Sequence, residues 1–360
     1  MDLNLIESLV EKGAAQGASD IHFVRGIPVK CRLHGKLVDL GDAPLTAEDC
    51  EEMAKCIAGK HYDELVETGE LDIAKTFAGE RCRINVFYQQ DSPSMALRIL
   101  SSHIPKLNVL GLPPVVAKFP TWKNGIVLVT GQTGSGKSTT LAAILDEINH
   151  TRYEHIITLE DPIEYIYTPD KCVINQREVG KDTKSYSNGL RAALREDPDI
   201  ILIGEMRDID TIETALTAAE TGHLVFATLH TNSAASAVDR IVGIFPEARQ
   251  QQIRLQLSST LKAVLSQQLL VRRDGNGRVL ACETMVVTPA IRNLIFEGKS
   301  QQITSMILST GNIGNNTMDN CIAGLITEGK ITKKTAFEGA TDPEFLSKKT
   351  GIRVPHLESF

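Results

Sequence analysis

Near the start of the chain Leu3, Leu5, Ile6, Leu9 and Val10 recur at roughly helical spacing, and Gly17-Ala18-Ser19 ends the pattern, which predicts a short first helix. From Ile21 to Leu40 the period shortens towards two. Val29, Cys31 and Leu33 alternate there with Lys30, Arg32 and His34, and His34-Gly35 suits the turn of a hairpin. Thr46-Ala47-Glu48-Asp49 has the form of a capping box, opening a helix whose inner positions are Met53 and Ile57. Strands return between Leu71 and Leu100, broken at Ala78-Gly79-Glu80 and Asp91-Ser92-Pro93. Residues 1–100 therefore read as a small α+β domain.

The periodicity lapses around His103-Ile104-Pro105 and Gly111-Leu112-Pro113-Pro114, where the prolines oppose both helix and central strand. A linker is expected over 101–114. Beyond it, apolar runs at Gly125–Thr130, Ile156–Leu159, Ile200–Ile203 and Leu224–Leu229 alternate with helical stretches. That order implies βαβ units and a mostly parallel sheet, an α/β domain over 115–288. A long amphipathic stretch from Ala248 to Leu270 leads to Arg272–Arg278, whose Gly and Asn positions suit a hairpin turn. From Pro289 short helical segments dominate, so 289–360 is expected to be a helical C-terminal segment.

Composition narrows the function classes. Lys and Arg number 38 against 45 Asp and Glu, a net charge of −7, the wrong sign for a surface that grips phosphate backbones, so nucleic acid is not expected as a partner. The apolar runs fall far short of the roughly 20 residues needed to cross a bilayer, and acids stand at the N-terminus where a secretory signal would carry Lys or Arg. A cytoplasmic protein without a transmembrane segment is the expectation. Seven scattered cysteines, never spaced C-x2-C, read as reduced thiols with no zinc site.

Gly131-Gln132-Thr133-Gly134-Ser135-Gly136-Lys137-Ser138 fits G-x4-G-K-[ST], follows an apolar strand and opens a helix through Leu141, Ile144 and Ile148. Glycines let backbone N–H groups close around phosphate oxygens, and the helix N-terminus adds partial positive charge. Lys137 would bridge the β- and γ-phosphates, and Ser138 would ligate Mg²⁺, with Thr139 completing the loop. Asp199-Ile-Ile-Leu-Ile-Gly204-Glu205 is an apolar strand running into an acid, but Gly204 stands where an Asp usually holds the magnesium shell, which leaves that task to Glu205. Glu205 could also be a merely solvated strand-end acid. Glu160, at the end of Ile156–Leu159, could orient an attacking water as general base, or be a salt-bridged structural acid. His230 follows the strand that His223 precedes, at the end where a γ-phosphate sensor would belong; either could instead be a packing residue. Arg81 and Arg83 share one strand face and Arg98 lies on the next strand, either as solvated arginines or as groups reaching a neighbour's nucleotide.

The blocks around Lys137, Ile157-Thr-Leu-Glu-Asp-Pro, Leu194-Arg-Glu-Asp-Pro-Asp to Asp208 and Thr221-Gly-His to Asn232 together resemble the Walker A, Asp box, Walker B and His box of secretion-type ATPases. Within them the chain is similar to the type IV pilus retraction branch, with Ala290–Ile295 matching its AIRNLI element; on its own that segment is an ordinary amphipathic helix. Gln132 departs from the proline expected after the first loop glycine. The resemblance implies a PAS-like first domain, a RecA-like second, and a homohexamer with Mg-ATP between domains. It makes Glu160 the catalytic glutamate, Glu205 the Walker B acid, His223 and His230 the His-box pair, and Arg81, Arg83 and Arg98 contacts to nucleotide. It further implies an inner-membrane pilus platform protein as partner, with related pilus ATPases possible, at the inner face of the cytoplasmic membrane. Pilus or type II secretion assembly is the rival purpose, and a non-hydrolysing, nucleotide-gated regulatory scaffold is the rival of another class.

Overall fold

A computed structural model describes residues 3–33, 36–100 and 103–354. The chain divides into two compact units: Met1–Ile104 together with Pro162–Ile166, and Pro105–Asp161 together with Tyr167–Phe360.

In the first unit α1 (Leu3–Ala15) precedes β1 (Asp20–Phe23), β2 (Pro28–Leu33) and β3 (Lys36–Pro44). Then come α2 (Ala47–Ala58), α3 (Tyr62–Thr68), β4 (Glu70–Phe77), β5 (Glu80–Gln89) and β6 (Ser92–Leu100). The strands form one antiparallel sheet in the order β3-β2-β1-β6-β5-β4. Thr46 caps α2 through the expected reciprocal bonds with Asp49. Helix α3 is an addition to the sequence reading: it buries little beyond Leu65, too weak a stripe to register as a period. The hairpin of β2 and β3 forms, while its turn at His34-Gly35 lies outside the described residues. On β5 Cys82, Ile84 and Val86 point into the core of this unit, as alternation requires.

The second unit is built on β7 (Gly125–Thr130), α4 (Lys137–Thr151), β8 (His155–Glu160), β9 (Val173–Glu178), α5 (Tyr186–Ala193), β10 (Ile200–Ile203), α6 (Ile209–Glu220) and β11 (Leu224–Leu229). It continues with α7 (Ala234–Gly243), α8 (Glu247–Thr260), β12 (Leu261–Val271), β13 (Arg278–Val286), α9 (Pro289–Phe296), α10 (Ile303–Ser309), α11 (Met318–Thr327), α12 (Lys333–Gly339) and α13 (Pro343–Thr350). Its sheet runs β13-β12-β7-β11-β10-β8-β9, parallel throughout except for β13. β7, β10 and β11 are buried at every position because helices cover both faces, so their sequences are unbroken apolar runs. The α/β class, the parallel sheet and the helical C-terminal part stand as the sequence predicted.

The amphipathic stretch from Ala248 to Leu270 divides between two elements: α8 ends at Thr260, and from Leu261 the chain turns extended as β12, parallel to β7. The apolar spacing of Ile253, Leu257, Leu261 and Val264 continues across the break only because a strand buried on both faces has no alternation of its own. The edge strand β9 was also missed, since its residues are mostly half-buried or exposed. Residues Pro105–Pro114, read from sequence as linker, lie within the second unit.

Candidate nucleotide site

The C-terminal ends of β7, β8, β10 and β11 lie along one edge of the second sheet, and the loops leaving them carry the chemistry, as open parallel sheets dictate. β11 lies between β7 and β10. At about 4.8 Å per strand, this sets His230 midway between the glycine loop and Glu205, some 10 Å apart.

The loop from Gly131 to Gly136 is a cradle that side chains would fill. Gly131 has a φ of 141°, and a Cβ there would lie 2.4 Å from the Gln267 carbonyl oxygen and 2.6 Å from Ser135 Oγ. Gly134 has a φ of 78°, with nothing within 4 Å of its Cβ position. Gly136 caps α4 in the left-handed region without any side-chain cap bond, leaving the first N–H groups of the helix to a ligand. Lys137 Nζ donates to the carbonyl oxygens of Gly131 at 2.8 Å and Gln132 at 3.0 Å, so the ammonium is folded over the loop. Ser135 Oγ is buried, and among the described residues it has no hydrogen-bond partner. An orphaned hydroxyl, an ammonium and a glycine-lined loop at a helix N-terminus fit a phosphate group. Ser138 and Thr139 follow on the first turn of α4.

Glu160 ends β8, where its Oε1 accepts from Thr158 Oγ1 at 2.6 Å and Gln176 Nε2 at 3.3 Å. Those two bonds aim the carboxylate, and neither partner was singled out from sequence. Glu205, just past β10, pairs with Arg207 at 2.7 Å and stands 3.5 Å from His230 Nε2. Partial burial pushes its pKa up, but the Arg207 hydrogen bond and the charges of His230, Arg207 and Lys137 prevail and hold the carboxyl below its usual range. Among the described residues no group of three or more His, Cys, Asp or Glu could hold a metal alone. Ser138 and Glu205 supply oxygen donors of the kind magnesium takes, with phosphate and water completing the shell.

His223 does not join this edge. It precedes β11 and is bonded to the Ala218 carbonyl at 2.8 Å, at the opposite end of a six-residue strand and so roughly 20 Å from His230. The two histidines thus stand at the two ends of β11, as flanking one strand in sequence requires. Arg81, Arg83 and Arg98 belong to the first unit. There Arg81 Nε donates to the Ile163 carbonyl at 3.4 Å, Arg83 is exposed opposite Arg98, and Arg98 pairs with Asp20 at 2.8 Å.

Beside the loop a cavity of about 440 Å³ is lined by Gln132–Ser135, Asn232, Gln267–Leu269, Arg278 and residues 338–341. Arg278 also donates to the Gly134 carbonyl at 3.4 Å. The contribution of the C-terminal helices to this wall had no signal in the sequence, because it depends on long-range packing of α12 on β12.

A glycine loop on a central strand of a parallel sheet, with an aimed glutamate, an acid two strands away and a histidine between, defines a P-loop nucleotide-binding enzyme. Residues 83–332 match the family described as type II/IV secretion system protein, and the chain belongs to that family. The type IV pilus retractation ATPase PilT of Pseudomonas aeruginosa is 46% identical over 344 residues, 94% of this chain and 99% of that one. A twitching motility protein of Neisseria gonorrhoeae is 43% identical over 88% of this chain and 85% of its own. The crystal structure of the pilus retraction motor PilT with bound ADP matches with a TM-score of 0.89 at 46% identity, over 95% of this chain and 99% of that one.

Proposed function

We propose that the protein is an ATP hydrolase that powers type IV pilus retraction, working as a homohexamer at the inner face of the cytoplasmic membrane. The observation that carries this reading is the convergence of Lys137, Glu160, Glu205 and His230 on one sheet edge, in a chain 46% identical along nearly its whole length to a pilus retraction ATPase. The loop N–H groups and Lys137 hold the β- and γ-phosphates. Magnesium, when bound through Ser138 and Glu205, neutralises charge on those phosphates. Glu160 takes the proton of the attacking water as its oxygen bonds to the γ-phosphorus and the bond to ADP breaks. His230, paired with Glu205, senses whether the γ-phosphate is present. That difference lets nucleotide shift the chain between conformations, since a ligand bound equally by two states shifts neither. Arg81, Arg83 or Arg98 would supply cationic contacts to nucleotide within the ring.

No described helix is long and apolar enough to cross a membrane, so attachment would run through a platform protein of the pilus machine. Glu160→Gln should abolish phosphate release while ADP and ATP still bind; turnover near the parent's would remove Glu160 from the mechanism. In source cells lacking the protein, surface pili counted by electron microscopy should increase and surface motility should stop. Cells without pili would instead support an assembly motor.

A further inference from the structure

We propose that the Tyr186 hydroxyl is a further catalytic group, a hydrogen-bond donor that positions the attacking water together with Glu160, and that residue 204 is glycine because a side chain there would displace it. This rests on the hydrolase reading above. The Walker B strand breaks its usual pattern at Gly204, and the structure supplies a reason. The point a Cβ at 204 would occupy lies 2.8 Å from Tyr186 Oη, 3.1 Å from the Leu159 carbonyl oxygen and 3.3 Å from Glu160 Cα. The phenol therefore fills, from α5, the side-chain space that the strand residue vacates, directly over the junction of β8 and β10.

Tyr186 is the first residue of α5, whose N-cap Ser185 accepts from the Asn188 amide, and its ring packs against the main core of the unit. The ring is thus anchored while its polar end reaches the reacting edge. Tyr186 is half-buried, and among the described residues no hydrogen bond uses its hydroxyl, which leaves it available to a ligand or water. Burial, then the charges of Asp161, Glu205 and Glu160, push its pKa up against the opposing pull of Arg207. The phenol is a neutral donor at neutral pH and complements Glu160: the carboxylate accepts one proton of the water while the phenol donates to its oxygen. As the water attacks, its oxygen bonds to the γ-phosphorus, its proton passes to Glu160, and the phenol keeps its own proton.

The test compares Tyr186→Phe with the parent in phosphate release, ADP binding and thermal unfolding. Loss of one donor at the reacting centre should lower kcat about tenfold, with KM for ATP, ADP affinity and Tm held near the parent values. A kcat within about twofold of the parent, or a loss confined to KM or Tm, overturns the proposal and leaves the hydrolase reading standing. A parent that releases no phosphate overturns that reading and the proposal with it.

Discussion

Two glycines of the phosphate loop should respond in opposite ways to alanine. At Gly131 the new Cβ would sit 2.4 Å from the Gln267 carbonyl oxygen, about 1 Å inside ordinary contact, in a backbone conformation with φ of 141°. The oxygen belongs to β12 and cannot swing aside, so the strand itself must shift. Left-handed strain of about 1–2 kcal/mol adds to an overpacking penalty of about 1–3 kcal/mol. The sum, about 2–5 kcal/mol, lowers Tm by roughly 5–15 °C for a unit of this size. At Gly134 φ is 78° and nothing lies within 4 Å, so alanine costs only about 1 kcal/mol of backbone strain. Its methyl group, however, projects into the open cradle where a phosphate belongs. Differential scanning fluorimetry with and without ADP separates the two: Gly131→Ala should melt early in both conditions, while Gly134→Ala should melt near the parent but lose most of the ADP-induced rise. Equal melting of the two apo variants, or an undiminished ADP shift in Gly134→Ala, would refute the reasoning.

Arg207→Ala removes the hydrogen bond and charge that hold the Glu205 carboxyl below its usual range, leaving burial to raise it. The carboxylate is then lost at a higher pH, so the acid limb of kcat should move upward in a pH profile; an unmoved limb would disconnect Glu205 from turnover. Glu283 is buried on β13 and accepts from the N–H groups that open α7 and α11, at 2.7 and 3.4 Å. Burial raises its pKa despite those bonds, so the protonated form is favoured in the fold, and the stability this supplies is lost as pH rises from near 4.5 through the raised value. Glu283→Gln cannot ionise, so denaturant unfolding should show its stability gaining on the parent's across that window; a constant difference would contradict the assignment. Phe226→Ala, in the fully buried β11, should cost about 3–5 kcal/mol in the same assay.

Much of the site was legible because its signals are local. Gly131 to Ser138 specify a loop by backbone freedom and a following helix, and Glu160, Glu205 and His230 each end an apolar run that can only be a buried strand. His223, which precedes the strand that His230 follows, lies at its far end, away from the site. Thr158 and Gln176, which aim Glu160, were invisible, and so was the pairing of Arg207 with Glu205: each is an ordinary strand or loop residue until its neighbour is known.

What the amino-acid sequence determined by itself was most of the elements and the phosphate-binding chemistry, because a helix cap such as Thr46, the glycine loop and apolar runs act over a few residues. The tertiary structure alone decided the order of strands, which inserts β11 between the phosphate loop and Glu205. It likewise decided the phenol of Tyr186 filling the space over Gly204, and residues 338–341 walling the cavity beside the loop. Those juxtapositions join residues far apart along the chain, and they follow from how two faces of a sheet are covered, a matter of global packing that no local pattern encodes.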